Sequence, residues 1–130
     1  MSVYLDSSAV VKLVVRETET DALRSYLQTA GPLATSILTT VEVARAVARV
    51  ASDSGDVVAA VLGGMAIVGF DGTIAVRAAA LEPTTLRTLD AVHLATALEL
   101  AGELTAFVCY DDRLASAARA LGLPVVAPTN

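Results

Sequence analysis

The chain has 130 residues and a formal net charge of −5, from 14 Asp plus Glu against 9 Lys plus Arg. That length suits one domain of ordinary size, and the acidity argues against broad nonspecific nucleic-acid binding while leaving room for a local basic patch. A hydrophobic content of 55% excludes disorder, and with 4% aromatics and no Trp the core must be built from Ala, Val and Leu. The one cysteine, Cys109, excludes an intrachain disulfide framework and a Cys-based zinc site. The apolar N-terminus is broken by Asp6 and Lys12 and lacks a basic leader, so it does not read as a signal peptide. The most apolar stretch, Val57 to Phe70, falls short of the ~18 residues needed to cross a bilayer. The expectation is a single domain over residues 1–130, in a reducing, cytoplasmic setting, with no membrane partner.

Val3-Tyr4-Leu5 reads as a buried strand ending at Asp6, with Ser7 or Ser8 as N-cap of an apolar helix, Ala9 to Val15. Thr18 to Ala30 reads as a second helix, acidic in its first turn and stopped by Gly31-Pro32. Leu33 to Thr35 is a short strand, after which Ser36 caps a long helix to about Ala51. A turn cluster, Ser52 to Gly55, leads to a short helix, Asp56 to Leu62, closed by Gly63-Gly64. A strand over Ala66 to Phe70 and a helix over Thr73 to Leu81 follow. The next helix, Leu89 to Ala101, has Thr88 as its cap and Asp90 in its first turn. A strand from Ala106 to Cys109, a helix from Arg113 to Leu121 and a last strand at Val125-Val126 complete the chain. Short apolar strands alternating with helices predict a three-layer α/β/α sandwich around a mostly parallel sheet, its crossovers right-handed.

Such sheets bind ligands at the carboxyl ends of their strands, near the point where strand order reverses. Asp6 and Asp111 fall at strand ends, and Glu42 and Asp90 interrupt apolar helical patterns. Each has a local explanation. Asp6 can cap a helix, Asp90 can complement a helix dipole, Glu42 can pair with Arg45 or Arg49, and Asp111 can serve a turn. A carboxylate in an apolar setting must be paired, protonated or bound to a cation. Four in one pocket would repel one another unless a divalent cation held them, and Mg²⁺ or Mn²⁺, with their preference for oxygen ligands, suit that role. Asp112 is a further acid beside Asp111 and, next to the helix that follows, its expected cap.

The segments around these acids resemble the PIN-domain family, and within it the VapC-type toxin ribonucleases of type II toxin–antitoxin systems. Val3-Tyr4-Leu5-Asp6-Ser7-Ser8 is similar to the family's first motif and Thr40-Val41-Glu42-Val43-Ala44-Arg45 to the second. Leu89-Asp90-Ala91-Val92-His93-Leu94-Ala95-Thr96-Ala97 is similar to the third, and Phe107-Val108-Cys109-Tyr110-Asp111-Asp112-Arg113-Leu114 to the fourth. The resemblance implies metal-dependent endonucleolytic cleavage of RNA by a homodimer, neutralised by a small cognate antitoxin in the active-site groove, with no direct DNA binding expected without that antitoxin. It assigns Asp6, Glu42, Asp90 and Asp111 to the acidic quartet and Ser8 to a hydroxyl position beside the first acid. The family commonly carries Thr or Ser where this chain has Cys109, which bears on the orientation of Asp111.

On this reading Asp6 and Asp111 lie closest to the metal, while Glu42 and Asp90 hold waters around it or a second ion, and one carboxylate accepts the proton of the attacking water. Arg45 and Arg49, three and seven positions after Glu42, can contact RNA phosphate, and Arg87 can reach a phosphate or an antitoxin carboxylate. Lys12 and Arg113 also lie near the motifs, Arg113 as a solvated residue. His93, three positions after Asp90, is within geometric reach of a ligand role but reads as a packed residue making one hydrogen bond. Cys109 reads as buried and inert, and Tyr4 and Tyr110 as core or groove-lining residues. A catalytically weak PIN-like module that grips RNA or protein without cutting is the alternative. A receiver domain would require an acidic pair after the first strand and a late Lys, but the sole Lys is Lys12; a dehalogenase-type phosphatase would require an Asp at position 8, which is Ser. Replacing Glu42 or Asp90 by Ala is expected to abolish RNA cleavage and leave the fold intact, and an active Glu42→Ala protein would remove that acid from the site.

Overall fold

Val3, Tyr4 and Leu5 are wholly buried, and a strand hidden on both faces must be covered by helices on both sides. A computed structural model describes residues 1–130. Its elements run β1 (Ser2–Leu5), α1 (Ser7–Val14), α2 (Thr20–Leu27), β2 (Leu33–Ser36), α3 (Ile37–Ala48), α4 (Gly55–Gly63), β3 (Ala66–Val68), α5 (Gly72–Ala80), α6 (Thr88–Glu99), β4 (Leu104–Val108), α7 (Asp112–Ala120) and β5 (Val125–Val126). The strands form one sheet in the order β3-β2-β1-β4-β5, and every neighbouring pair is parallel. From β1 the chain steps outward through β2 and β3, then returns to the other side of β1 for β4 and β5. The order therefore reverses between β1 and β4, where a ligand crevice is expected at the carboxyl ends.

Side chains alternate across the sheet with the period of two that a pleated strand imposes. Val3 and Leu5 of β1, with Ala106 and Val108 of β4, pack against Val10 of α1, Leu23 of α2, Val43 and Val47 of α3 and Val58 of α4. Tyr4 and Phe107 point the other way, onto Leu94 of α6 and Leu114 and Ala118 of α7. Ile74 of α5 joins Val92 and Ala95 of α6 in a smaller cluster on the outer side. This is the α/β/α sandwich the pattern predicts. No helix is long and apolar enough to cross a membrane.

The caps differ from expectation at three places. Asp6, not Ser7 or Ser8, caps α1, its carboxylate accepting the Ala9 N–H. Asp111, not Asp112, caps α7 through the N–H groups of Arg113 and Leu114. Thr88 lies inside α6, whose N-cap is Arg87 without a side-chain bond. The physical reason at the first two is the same: an acid leaving a buried strand is the first side chain able to turn back onto the orphan N–H groups of the next helix. Ser36 does cap α3, accepting the Leu38 N–H. Ranges shift by a few residues elsewhere: α2 begins at Thr20 and α3 ends at Ala48. At the end of α7, Gly122 takes a φ of 82°, a turn that favours glycine.

Phe107 stacks flat on Tyr4, with ring centroids 5.3 Å apart and planes at 4°, and both are fully buried. Phe107→Ala is expected to cost about 3–5 kcal/mol, read as a lower urea midpoint. Val76→Ala, at a position 73% exposed, should change stability by no more than ~0.5 kcal/mol.

Candidate active site

Asp6 leaves β1 at the strand-order reversal and is only 3% exposed. Both its oxygens are engaged: Oδ1 accepts the Ser8 hydroxyl at 2.7 Å and the Ala9 N–H at 3.0 Å, and Oδ2 accepts the Cys109 thiol at 3.2 Å. Burial raises its pKa above the ordinary carboxylate value, against the pull of those hydrogen bonds. Ser8 in turn accepts the Tyr110 N–H at 3.0 Å, so one hydroxyl ties the ends of β1 and β4 together. Cys109 therefore orients Asp6. Its thiol also meets the main-chain oxygen of Asp111 at 3.4 Å, and it does not touch the Asp111 carboxylate. It is buried, and burial followed by the charge of Asp6 pushes the thiol well above its usual range.

Glu42 enters from α3, in the helical layer that α1 to α4 form. Its Oε1 accepts the Ser7 hydroxyl at 2.6 Å and meets His93 Nε2 at 2.7 Å. Burial pushes its carboxyl up, but the hydrogen bonds from His93 and Ser7 outweigh it and hold the group below its ordinary value. The alternative pairing of Glu42 with Arg45 or Arg49 does not form, because the carboxylate turns inward to those two partners. His93 makes two short contacts, to Glu42 and to the Tyr4 hydroxyl at 2.7 Å, where the sequence suggests one. The spacing of three from Asp90 was the available signal, since it places both on one face of α6. For Ser7 there was no signal beyond a hydroxyl beside Asp6.

Asp90 and Asp111 are joined by a cation. Arg87 donates from Nε to Asp90 Oδ2 at 3.0 Å and from Nη2 to Asp111 Oδ2 at 3.2 Å, and the bond to Asp90, then the charges of both acids, raises its own pKa. Asp111 Oδ1 accepts the N–H groups of Arg113 and Leu114. Asp6, Ser7, Ser8, Glu42, Arg87, Thr88, Leu89, Asp90, His93, Asp111 and Leu114 line one cleft of about 370 Å³. All four acids of the expected quartet, with Ser8, thus meet in one place.

Asp112 stands outside that cleft, exposed at the start of α7 and lining a neighbouring groove with Arg113 and Arg87. Arg45 and Arg49 are exposed and line a groove on the opposite flank, sharing Ser7, Ser8, Glu42 and Leu89 with the acidic cleft. Lys12 is unavailable to a ligand: its ammonium is held by Glu19 at 3.0 Å and Glu17 at 3.7 Å, over the Tyr110 ring. The cleft offers a set of carboxylate and hydroxyl oxygens, the donors that Mg²⁺ and Mn²⁺ prefer. As the side chains stand, no three acids, His or Cys close on a single point, because Asp90 and Asp111 are turned onto Arg87 and Glu42 onto His93. The donor chemistry fits a divalent cation.

Residues 3–120 match the PIN domain family. The chain is 44% identical to ribonuclease VapC46 of Mycobacterium tuberculosis over 128 residues, covering 98% of each. It is 46% identical to ribonuclease VapC35 of the same organism, covering 97% of this chain and 96% of that one. Its fold superposes on a toxin–antitoxin complex from Klebsiella pneumoniae with a TM-score of 0.76 at 22% identity, over 98% of both chains.

The raised pKa of Asp6 carries a stability consequence. The folded protein binds a proton there more readily than the unfolded chain, so stability falls as pH rises from the ordinary value of 3.8 through the folded value. The penalty is complete once the pH has passed the folded value. Asp6→Asn keeps an oxygen for Ser8 and Ala9 and removes the buried charge. It is expected to raise the melting temperature of the metal-free protein by a few degrees at pH 7, an advantage that shrinks toward pH 3.

Proposed function

The chain belongs to the PIN-domain family, and from that premise we propose that it is an endoribonuclease toxin that hydrolyses RNA phosphodiester bonds and is neutralised by a cognate antitoxin. The observation that carries this reading is the convergence of Asp6, Glu42, Asp90 and Asp111 on one cleft at the sheet's strand-order reversal. Relatives sharing nearly half their residues across the full length are ribonucleases, and a solved chain of the same fold belongs to a toxin–antitoxin complex.

Mg²⁺ or Mn²⁺ is the proposed cofactor, held by Asp6, Asp90, Asp111 and Glu42, and when bound it supplies neutralisation of phosphate charge and a more acidic water. Asp6, fixed from three sides, supplies a carboxylate whose position is set before any ligand arrives. Asp111 is fixed through Oδ1 by the start of α7, leaving Oδ2 to exchange Arg87 for another cation. Glu42 is held through Oε1 alone, so Oε2 is free to accept the proton of an attacking water. Arg87, once released, can pair with a phosphate, and Arg45 and Arg49 can hold the RNA backbone along the adjoining groove. The same three arginines suit an acidic or C-terminal segment of an antitoxin. We further propose a cytoplasmic homodimer built from one domain per chain.

One observation favours the second reading, a PIN-like module that binds RNA or protein without cutting. The Arg87 bridge satisfies Asp90 and Asp111 without a metal. Purified antitoxin-free protein, incubated with total RNA and Mg²⁺, Mn²⁺ or EDTA beside Asp6→Ala, separates the two. The expected result is discrete fragments that need the metal and disappear in the variant. Absence of cleavage together with absence of Mn²⁺ binding by calorimetry would leave the non-cutting module.

A further inference from the structure

We propose that His93 is a positioning residue, one that holds the Glu42 carboxylate in its working orientation through Nε2–H while the Tyr4 hydroxyl on the opposite ring nitrogen keeps the proton there. The inference rests on the nuclease reading, since it assigns a role toward an acid of that site. His93 is the chain's one histidine, is 2% exposed and joins three elements that are distant in sequence. Tyr4 comes from β1, Glu42 from α3 and His93 from α6. The two contacts are equally short: Nδ1 to Tyr4 Oη is 2.7 Å and Nε2 to Glu42 Oε1 is 2.7 Å.

The donor and acceptor inventory selects one arrangement. An ionised carboxylate only accepts, so the proton between His93 and Glu42 sits on Nε2. Tyr4 is fully buried, and its hydroxyl, which lies 2.7 Å from Nδ1, must donate its proton to an acceptor. Nδ1, left as a lone pair, is that acceptor. Both ring nitrogens are then used, Nε2 lying also 3.4 Å from the Ser7 hydroxyl, and no buried side-chain nitrogen or oxygen is left without a partner. The Tyr4 ring is itself immobile, stacked on Phe107 and meeting the His93 ring edge-on at 6.1 Å and 76°.

Glu42 needs such an anchor. It reaches the cleft on a side chain with three free torsions, from a helix packed on the opposite layer from α6, and its carboxylate is only part-buried. Ordering those torsions costs conformational entropy, which the bonds from His93 and Ser7 to Oε1 offset. Partners that orient a metal- or water-holding carboxylate in this way are typically worth about ten- to a hundred-fold in metal affinity or rate.

The test joins a readout that ignores activity to one that measures it. Long-range nitrogen-15 NMR of the metal-free wild type reads a single imidazole and is expected to place its proton on Nε2, with that preference weakened in Tyr4→Phe. In cleavage assays with Mn²⁺, His93→Leu is expected to lower kcat about ten-fold or more with KM for RNA little changed, and to weaken Mn²⁺ binding in calorimetry. His93→Gln, whose amide places an N–H near Nε2, should recover most of that loss although it disturbs the packing as much. A purely structural role would make both variants follow their melting temperatures instead. If His93→Leu fails to fold, the wild-type ring and His93→Gln still decide. A ring protonated on Nδ1, a His93→Leu protein cleaving at the wild-type rate, or a folded His93→Gln protein no better than His93→Leu would overturn the role of His93. Wild-type protein that neither cleaves RNA nor binds Mn²⁺ would instead overturn the nuclease reading, whatever the state of the ring.

Discussion

Asp6 follows a strand buried on both faces, so its carboxylate emerges at the middle of the sheet with 3% of its surface exposed. A charge in that place has to be surrounded by donors, and the neighbourhood is arranged around meeting that demand. The Ala9 N–H turns toward it, which starts α1. Ser8 reaches it and also takes the Tyr110 N–H, which fixes the segment leaving β4. Cys109 supplies its thiol from the start of that segment. With β1 and β4 locked side by side, Asp111 lands beside Asp6 and repeats the pattern, capping α7 as it faces the cleft.

The helical layers bring the remaining groups, and each acid meets a different kind of partner. Glu42, from the layer of α1 to α4, is met by Ser7 and His93. Asp90, from the opposite layer, is met by Arg87, which also reaches Asp111. Asp6 has donors from three sides and no cationic side chain in hydrogen-bond contact. The cleft therefore mixes a half met by hydrogen-bond donors without a Lys or Arg and a half met by a guanidinium that is exposed. Such an arrangement holds the carboxylates in place in a molecule that carries a net charge of −5, and it leaves Arg45 and Arg49 as the cationic flank on the side of α3.

His93 and Cys109 illustrate how a residue's neighbours change its meaning. Both are buried, and by type each is unremarkable inside an apolar layer. The thiol is used as a donor to a carboxylate, and the imidazole links the aromatic pair beneath the sheet to an acid above it. The same burial that hides them from solvent makes those hydrogen bonds count for more than they would in water.

Strand and helix order, the alternation of Val3, Tyr4 and Leu5, and the four acids with their strand-end or helical positions were all legible in the residues. They follow from local periodicity, and a period of two or 3.6 needs no knowledge of distant contacts. The resemblance around Asp6, Glu42, Asp90 and Asp111 pointed to one family for the same reason, since each motif is a contiguous segment. Which acid caps its helix, where the Cys109 thiol points, that Lys12 is spent on Glu17 and Glu19, that Arg87 spans Asp90 and Asp111, and that His93 joins Tyr4 to Glu42 were not legible. Tyr4 and His93 lie 89 positions apart and Glu42 and His93 lie 51 apart. Only the stacking of the two helical layers on opposite faces of the sheet brings them within a hydrogen bond, because the direction of a side chain toward a distant partner is set by packing and not by its neighbours in the chain.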